Sequence, residues 1–134
     1  MTNKHLPRHE LTLMADDIRE EKSNKISLVG IYGADIIFES LPAIYPKLCF
    51  CTRILCENEE EKYLLKVSLK DPSGNEQFVD NNEMNITLKK GLGYINNCLS
   101  PFRPSKEGTY IYSIFLDGKK LCSTAFSVKK GKIS

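Results

Sequence analysis

Apolar and polar residues alternate singly over much of the chain, most regularly between residues 106 and 130. There Tyr110, Tyr112, Ile114 and Leu116 occupy every second position, which places them on one face of a strand. Asp117-Gly118 follows, a pair suited to a type I′ turn because both central residues of that turn need positive φ. The return arm, residues 121–128, alternates Cys122, Thr124, Phe126 and Val128 against Leu121, Ser123, Ala125 and Ser127. The spacing predicts a β-hairpin whose apolar face needs a second layer to cover it.

The rest of the chain supplies strands at short intervals. Residues 10–18 read as a first strand running into Asp16-Asp17, and residues 18–25 as a charged turn. Residues 26–32 are apolar on both faces, as a central strand would be, with Gly30 marking a bulge or a close approach by another backbone. A short strand at 36–38 precedes an extended surface crossover, because Pro42 and Pro46 exclude a helix interior or a central strand. Residues 47–56 form the longest candidate strand, and an acidic run at 57–61 separates it from a half-buried strand at 63–70. Asp71-Pro72-Ser73-Gly74 is a type I turn signal. Weaker strands are read at 77–79 and 84–89, residues 92–99 fit a strand or irregular chain, and residues 100–105 are a loop with two prolines. Together these predict an all-β, antiparallel β-sandwich of about seven to nine strands, spanning 10–129 between tails at 1–9 and 130–134.

Composition adds boundaries. A chain of 134 residues with 41% hydrophobic content can bury one core. Nineteen basic against 17 acidic residues is a poor footprint for nucleic acid, which rewards clustered Lys and Arg. No apolar run approaches a membrane span and no leader is apparent, so the expected location is cytoplasmic. Five cysteines in no framework spacing read as buried, reduced thiols, and packing alone accounts for Cys49 and Cys51 on one strand face.

Candidate chemistry is sparse. Asp16 and Asp17 adjoin Glu20 and Glu21, but neighbours on a strand point to opposite faces, and Arg19 and Lys22 offset their charge. His5 and His9 lie in the tail, far from any thiol they could activate, and no phosphate loop or zinc spacing is present. The sequence points to no cofactor, metal or catalytic group. Arg53 faces either solvent or an acid such as Asp16 or Asp17. Phe102-Arg103, between two prolines, has the composition of an interface anchor, although a Phe102 that plugs one end of the sandwich is the favoured reading.

Residues 13–19 (Leu-Met-Ala-Asp-Asp-Ile-Arg), 25–33 (Lys-Ile-Ser-Leu-Val-Gly-Ile-Tyr-Gly), Ile36-Ile37 and Pro46-Lys47-Leu48 resemble a family of short uncharacterised bacterial proteins. Many of its members carry a cysteine where this chain has Ala15, so no thiol role transfers. The resemblance implies a bacterial or mobile-element origin and an all-β domain of unknown function. The closing half is also similar in rhythm to immunoglobulin-like and C2-like sandwiches, an analogy of fold only. The resulting expectation is a non-enzymatic protein that binds another protein or self-associates through an edge strand. Its binding residues would be Asp16, Asp17, Arg19 and Tyr32, with Phe102 and Arg103. A calcium- or small-ligand-binding module and an enzyme of unrecognised type are the alternatives.

Overall fold

The computed structural model of the chain describes residues 5–23 and 25–132, and for 80–82 the backbone alone. The outermost tail residues, 1–4 and 133–134, and Asn24 of the 18–25 turn therefore lie outside it. Seven strands are formed: β1 (Arg8–Glu20), β2 (Ile26–Ile31), β3 (Asp35–Phe38), β4 (Leu48–Lys70), β5 (Glu76–Leu99), β6 (Gly108–Leu116) and β7 (Lys119–Lys130). They build one all-β sheet in the order β2-β1-β4-β6-β7-β3, with β5 along the other edge of β4. Among the described residues no helix is long and apolar enough to cross a membrane.

The sheet is mixed. Every pairing is antiparallel except that of β3 with β7, where Asp35 to Phe38 run alongside Ser127 to Lys130. A parallel pair needs a long connection, and the many residues between β3 and β7 provide one. The expectation of a purely antiparallel sheet is corrected accordingly.

The acidic run at 57–61 does not separate two strands. β4 continues through it, and its register against β5 shifts between Cys56, opposite Gly91, and Glu60, opposite Lys89. This is a bulge, in which the charged side chains reach solvent while the ladder resumes beyond them. β5 likewise joins the three segments read at 77–79, 84–89 and 92–99. Residues 50 and 69 of a straight strand would stand ~60 Å apart. Yet Tyr112, opposite Leu69 on β6, stacks on Phe50 with ring centroids 3.8 Å apart. β4 is therefore strongly bent, and the sheet doubles over so that its two ends face each other.

The final hairpin lies at the centre of that enclosure. Asp117 (φ 51°) and Gly118 (φ 78°) form the two-residue turn, and Leu116 faces Lys119 across it. Strict two-residue pairing would then place Leu121 opposite Ile114. A register shift brings Cys122 opposite Ile114 instead. That one-residue shift reverses the inward face of β7, so Cys122, Phe126 and Val128 are buried with Tyr110, Tyr112, Ile114 and Leu116. Phe126 then touches the rings of Phe50, Phe102 and Tyr110.

Three further expectations change. β2 is a terminal strand of the sheet, not a central one, and its Val29 and Ile31 are exposed. The expected N-terminal tail contributes to the fold from His5 onward. Leu6 packs on the core, and the carbonyl of His5 accepts from Asn58 Nδ2 and the Tyr63 hydroxyl. Cys49 and Cys98 face each other directly across β4 and β5 and form a disulfide, leaving Cys51, Cys56 and Cys122 as buried thiols. Cys98 was invisible as a partner because the sequence did not reveal that residues 92–99 pair with 48–55.

Candidate functional site

The motif residues near the N-terminus do come together. Asp16 lies on β1 across from Gly30 of β2, with Ala15 opposite Ile31 and Asp17 opposite Val29 on either side. Gly30 has φ +68°, and a Cβ built there would overlap the Asp16 carboxylate. Only glycine satisfies both the backbone conformation and the space. The close approach expected at Gly30 is thus made by a side chain rather than a backbone.

Asp16 Oδ1 accepts hydrogen bonds from the hydroxyls of Tyr32, just beyond β2, and Tyr45, in the crossover; the two hydroxyls also touch each other. Burial, followed by the bond to Asp16, pushes both tyrosine hydroxyls above their ordinary value. Their rings meet edge to face at 6.5 Å, and Phe38 packs on Tyr45 at 5.9 Å. The main chain of Tyr45 pairs with Phe102, so the crossover ties the corner to the proline loop.

Asp17 points the other way. Lys47 Nζ donates to it at 2.6 Å and Arg19 Nε at 3.3 Å. Lys47 first, and Arg19 after it, hold its carboxyl below the usual carboxylate range. The acidic cluster at 16–21 therefore does not converge, and among the described residues no three potential metal ligands gather. Arg53 pairs with Glu10 at 3.1 Å, not with Asp16 or Asp17, because β1 places Leu11 opposite Arg53 and the two aspartates lie further along the strand.

Phe102 and Arg103 part company. Phe102 is buried, edge-on to Tyr110 and Phe126, and cannot serve as a presented anchor; the plug reading is the correct one. Arg103 is exposed and lines a cleft of about 630 Å³. Sequence reasoning missed Tyr45 and Lys47 as members of the corner, since nothing local connects residues thirty positions apart. It also missed His9, which sits on β1 and contacts Thr12 at 2.9 Å, with Thr12 reaching Thr52.

Residues 10–129 match a family of unknown function, DUF6941. The chain belongs to that family. The match covers the sheet except Arg8, His9 and Lys130 at its ends, so the corner and the turn of the hairpin fall inside the family's domain. No curated protein matches the chain in sequence. Among solved structures the fold is similar to part of Pseudomonas fluorescens alkylpurine DNA glycosylase AlkC bound to DNA containing an abasic site analog. The TM-score is 0.53 at 12% identity, over 71% of this chain and 27% of that one. This chain thus spans about a quarter of the glycosylase, and at such identity the likeness is one of fold alone.

Proposed function

We propose that the protein is a non-enzymatic binding module whose partner, another protein, adds an extended segment to the outer edge of β2. One observation carries this reading. β2 ends the sheet, its sequence (residues 26–31) holds neither a charge nor a proline, and Val29 and Ile31 stand 40% and 56% exposed. Sheet edges in soluble proteins are ordinarily blunted by Lys, Pro or short length, and an unblunted apolar edge suits strand addition. The motif residues take a supporting role: Asp16, Gly30, Tyr32 and Tyr45 fix the corner that presents the edge, while Asp17, Arg19 and Lys47 supply a polar rim. We read it as an accessory or modulator of a bacterial or phage-related system acting in the cytoplasm, a role to which the family, being of unknown function, adds nothing. The doubled sheet supports the finer reading of a β-sandwich, immunoglobulin-like or C2-like, with the Phe50–Tyr112 stack joining its layers. The near-balanced charge speaks against carrying the glycosylase's DNA over to this chain.

The test is affinity capture from the native host with wild-type and Ile31→Lys protein, followed by hydrogen exchange on the recovered complex. One protein in near-stoichiometric amount, lost with Ile31→Lys and protecting the amides of β2, is the expected outcome. Equal capture by both forms, or protection confined to another surface, refutes the reading. Concentration-dependent sedimentation of the wild type, abolished by Ile31→Lys, identifies the partner as a second copy.

A further inference from the structure

Cys49 and Cys98 stand directly opposite each other in an unbroken stretch of the β4–β5 ladder, which runs from Leu48 opposite Leu99 to Cys56 opposite Gly91. Their neighbours Leu48, Phe50 and Leu99 are buried in the core. Main-chain hydrogen bonds and apolar packing therefore hold the two sulfurs together whether or not they are bonded. A disulfide in such a place can open without releasing the strands it joins.

The two cysteines differ in access. Cys49 is fully buried whereas Cys98 is half-buried, so a thiol arriving from solvent meets Cys98 first. Cys49 Sγ lies 3.9 Å from the main-chain oxygen of Asp16 on β1, an acceptor ready for its S–H once the bond opens. The thiol nearest in the strand does not compete. Cys51 lies on the same face of β4, but its partner across the ladder is Asn96, which leaves Cys98 diagonal to it. Diagonal neighbours stand roughly 7–8 Å apart, beyond the reach of an undistorted disulfide. Burial also pushes the Cys51 thiol up, and only the thiolate attacks.

We propose that Cys49–Cys98 is a reversible redox switch, opened by small thiols through Cys98 and closed again by their disulfides, within the folded protein. It stands independently of the protein-binding reading. Opening takes two exchanges. An external thiolate attacks Cys98 Sγ, and a new S–S bond forms there as the Cys49–Cys98 bond breaks. The electron pair leaves on Cys49 Sγ, which takes a proton. A second thiolate attacks the external sulfur of the mixed disulfide and releases Cys98, which takes the other proton. The protein gains two electrons and two protons, and two external thiols become one disulfide. The switch sets stability rather than shape. The cross-link spans a separation of 49 residues, and its constraint on the unfolded chain grows with the length of the closed loop.

The experiment equilibrates the full native chain with glutathione at graded ratios of thiol to disulfide, then alkylates every free thiol for peptide mass spectrometry. Cys49 and Cys98 should become alkylated together as the ratio rises and revert when it falls, with a dispersed NMR spectrum throughout. In Cys49→Ser, oxidised glutathione should add to Cys98; in Cys98→Ser, it should not add to the buried Cys49. The urea midpoint of the oxidised wild type should exceed that of the reduced form by roughly 1 M. That difference should vanish in Cys98→Ser. The wild-type titration decides by itself should a serine variant fail to fold. A pair that is reduced only after urea unfolds the chain is a static brace, and a pair that excess oxidised glutathione leaves as thiols is simple packing. Either result overturns the proposal, as does a bridge to Cys51 or an equal midpoint in the two redox states.

Discussion

The β6–β7 hairpin and the corner where β1 meets β2 are both antiparallel pairs, but they are held by different forces. In the hairpin, inward residues from both arms are buried among the rings of Phe50, Phe102 and Phe126, and apolar burial dominates. At the corner the outer strand leaves Val29 and Ile31 in water, and one carboxylate gathers two tyrosine hydroxyls from distant segments. The first arrangement tolerates exchange of one apolar group for another of similar volume. The second depends on each polar partner, because a half-satisfied network costs more than none.

The largest effect should come from emptying the shared core. Phe50→Ala removes the ring stacked on Tyr112 and should cost about 3–5 kcal/mol, a large part of a typical domain's stability, as read by urea denaturation. If Phe50→Ala costs no more than a surface substitution, the core does not hold the fold in this way.

A single kind of substitution should then change sign between the two regions. Tyr32→Phe takes a donor from Asp16 and should destabilise by about 1 kcal/mol. Tyr112→Phe removes a buried hydroxyl that has no hydrogen-bond partner among the described residues. It should be neutral or stabilise by up to ~1 kcal/mol. Equal effects in paired denaturation curves would erase the contrast.

The smallest effect is a difference in pH response. Tyr32 and Tyr45 have folded pKa values above that of the unfolded chain, so their contribution is complete below about pH 10 and is lost as pH rises beyond it. Burial raises Tyr112 as well, so alkaline loss involves both regions. Asp17 is shifted downward, so its contribution is present above about pH 4 and fades as pH falls below it. Acid melting should therefore be slightly less steep in Asp17→Asn than in the wild type, whereas Tyr112→Phe should leave the acid limb unchanged.

This contrast also accounts for what could be read from the sequence. The hairpin was legible to the turn residues and the inward face because its information is local: a period of two and an Asp-Gly pair. Even there, the shift that selects Cys122 over Leu121 requires knowledge of what β7 packs against. The corner was legible only as a motif. Asp16, Gly30 and Tyr32 stood out, but their acceptor, cradle and donor roles follow from a pairing register and from Tyr45, which no local pattern indicates. The long strands were misread for a related reason. Charge at 57–61 resembles a linker, yet a strand beside solvent can carry charge through a bulge, after which its ladder resumes. Arg103 was singled out together with Phe102, and the prolines that suggested a presented pair in fact bury one member and expose the other.

β4 carries one further consequence, which concerns time. Its leading half takes β1 on one edge, its trailing half takes β6 on that same edge, and β5 covers the other. On a ribosome, residues 8–15 and 76–99 can join β4 as soon as they emerge, but the place of β6 stays open until residues 108–116 are made. Pairings between distant segments form slowly, and an open apolar edge invites association with other chains while it waits. Late arrival of the hairpin thus sets the length of the interval in which a nascent chain is most prone to aggregate.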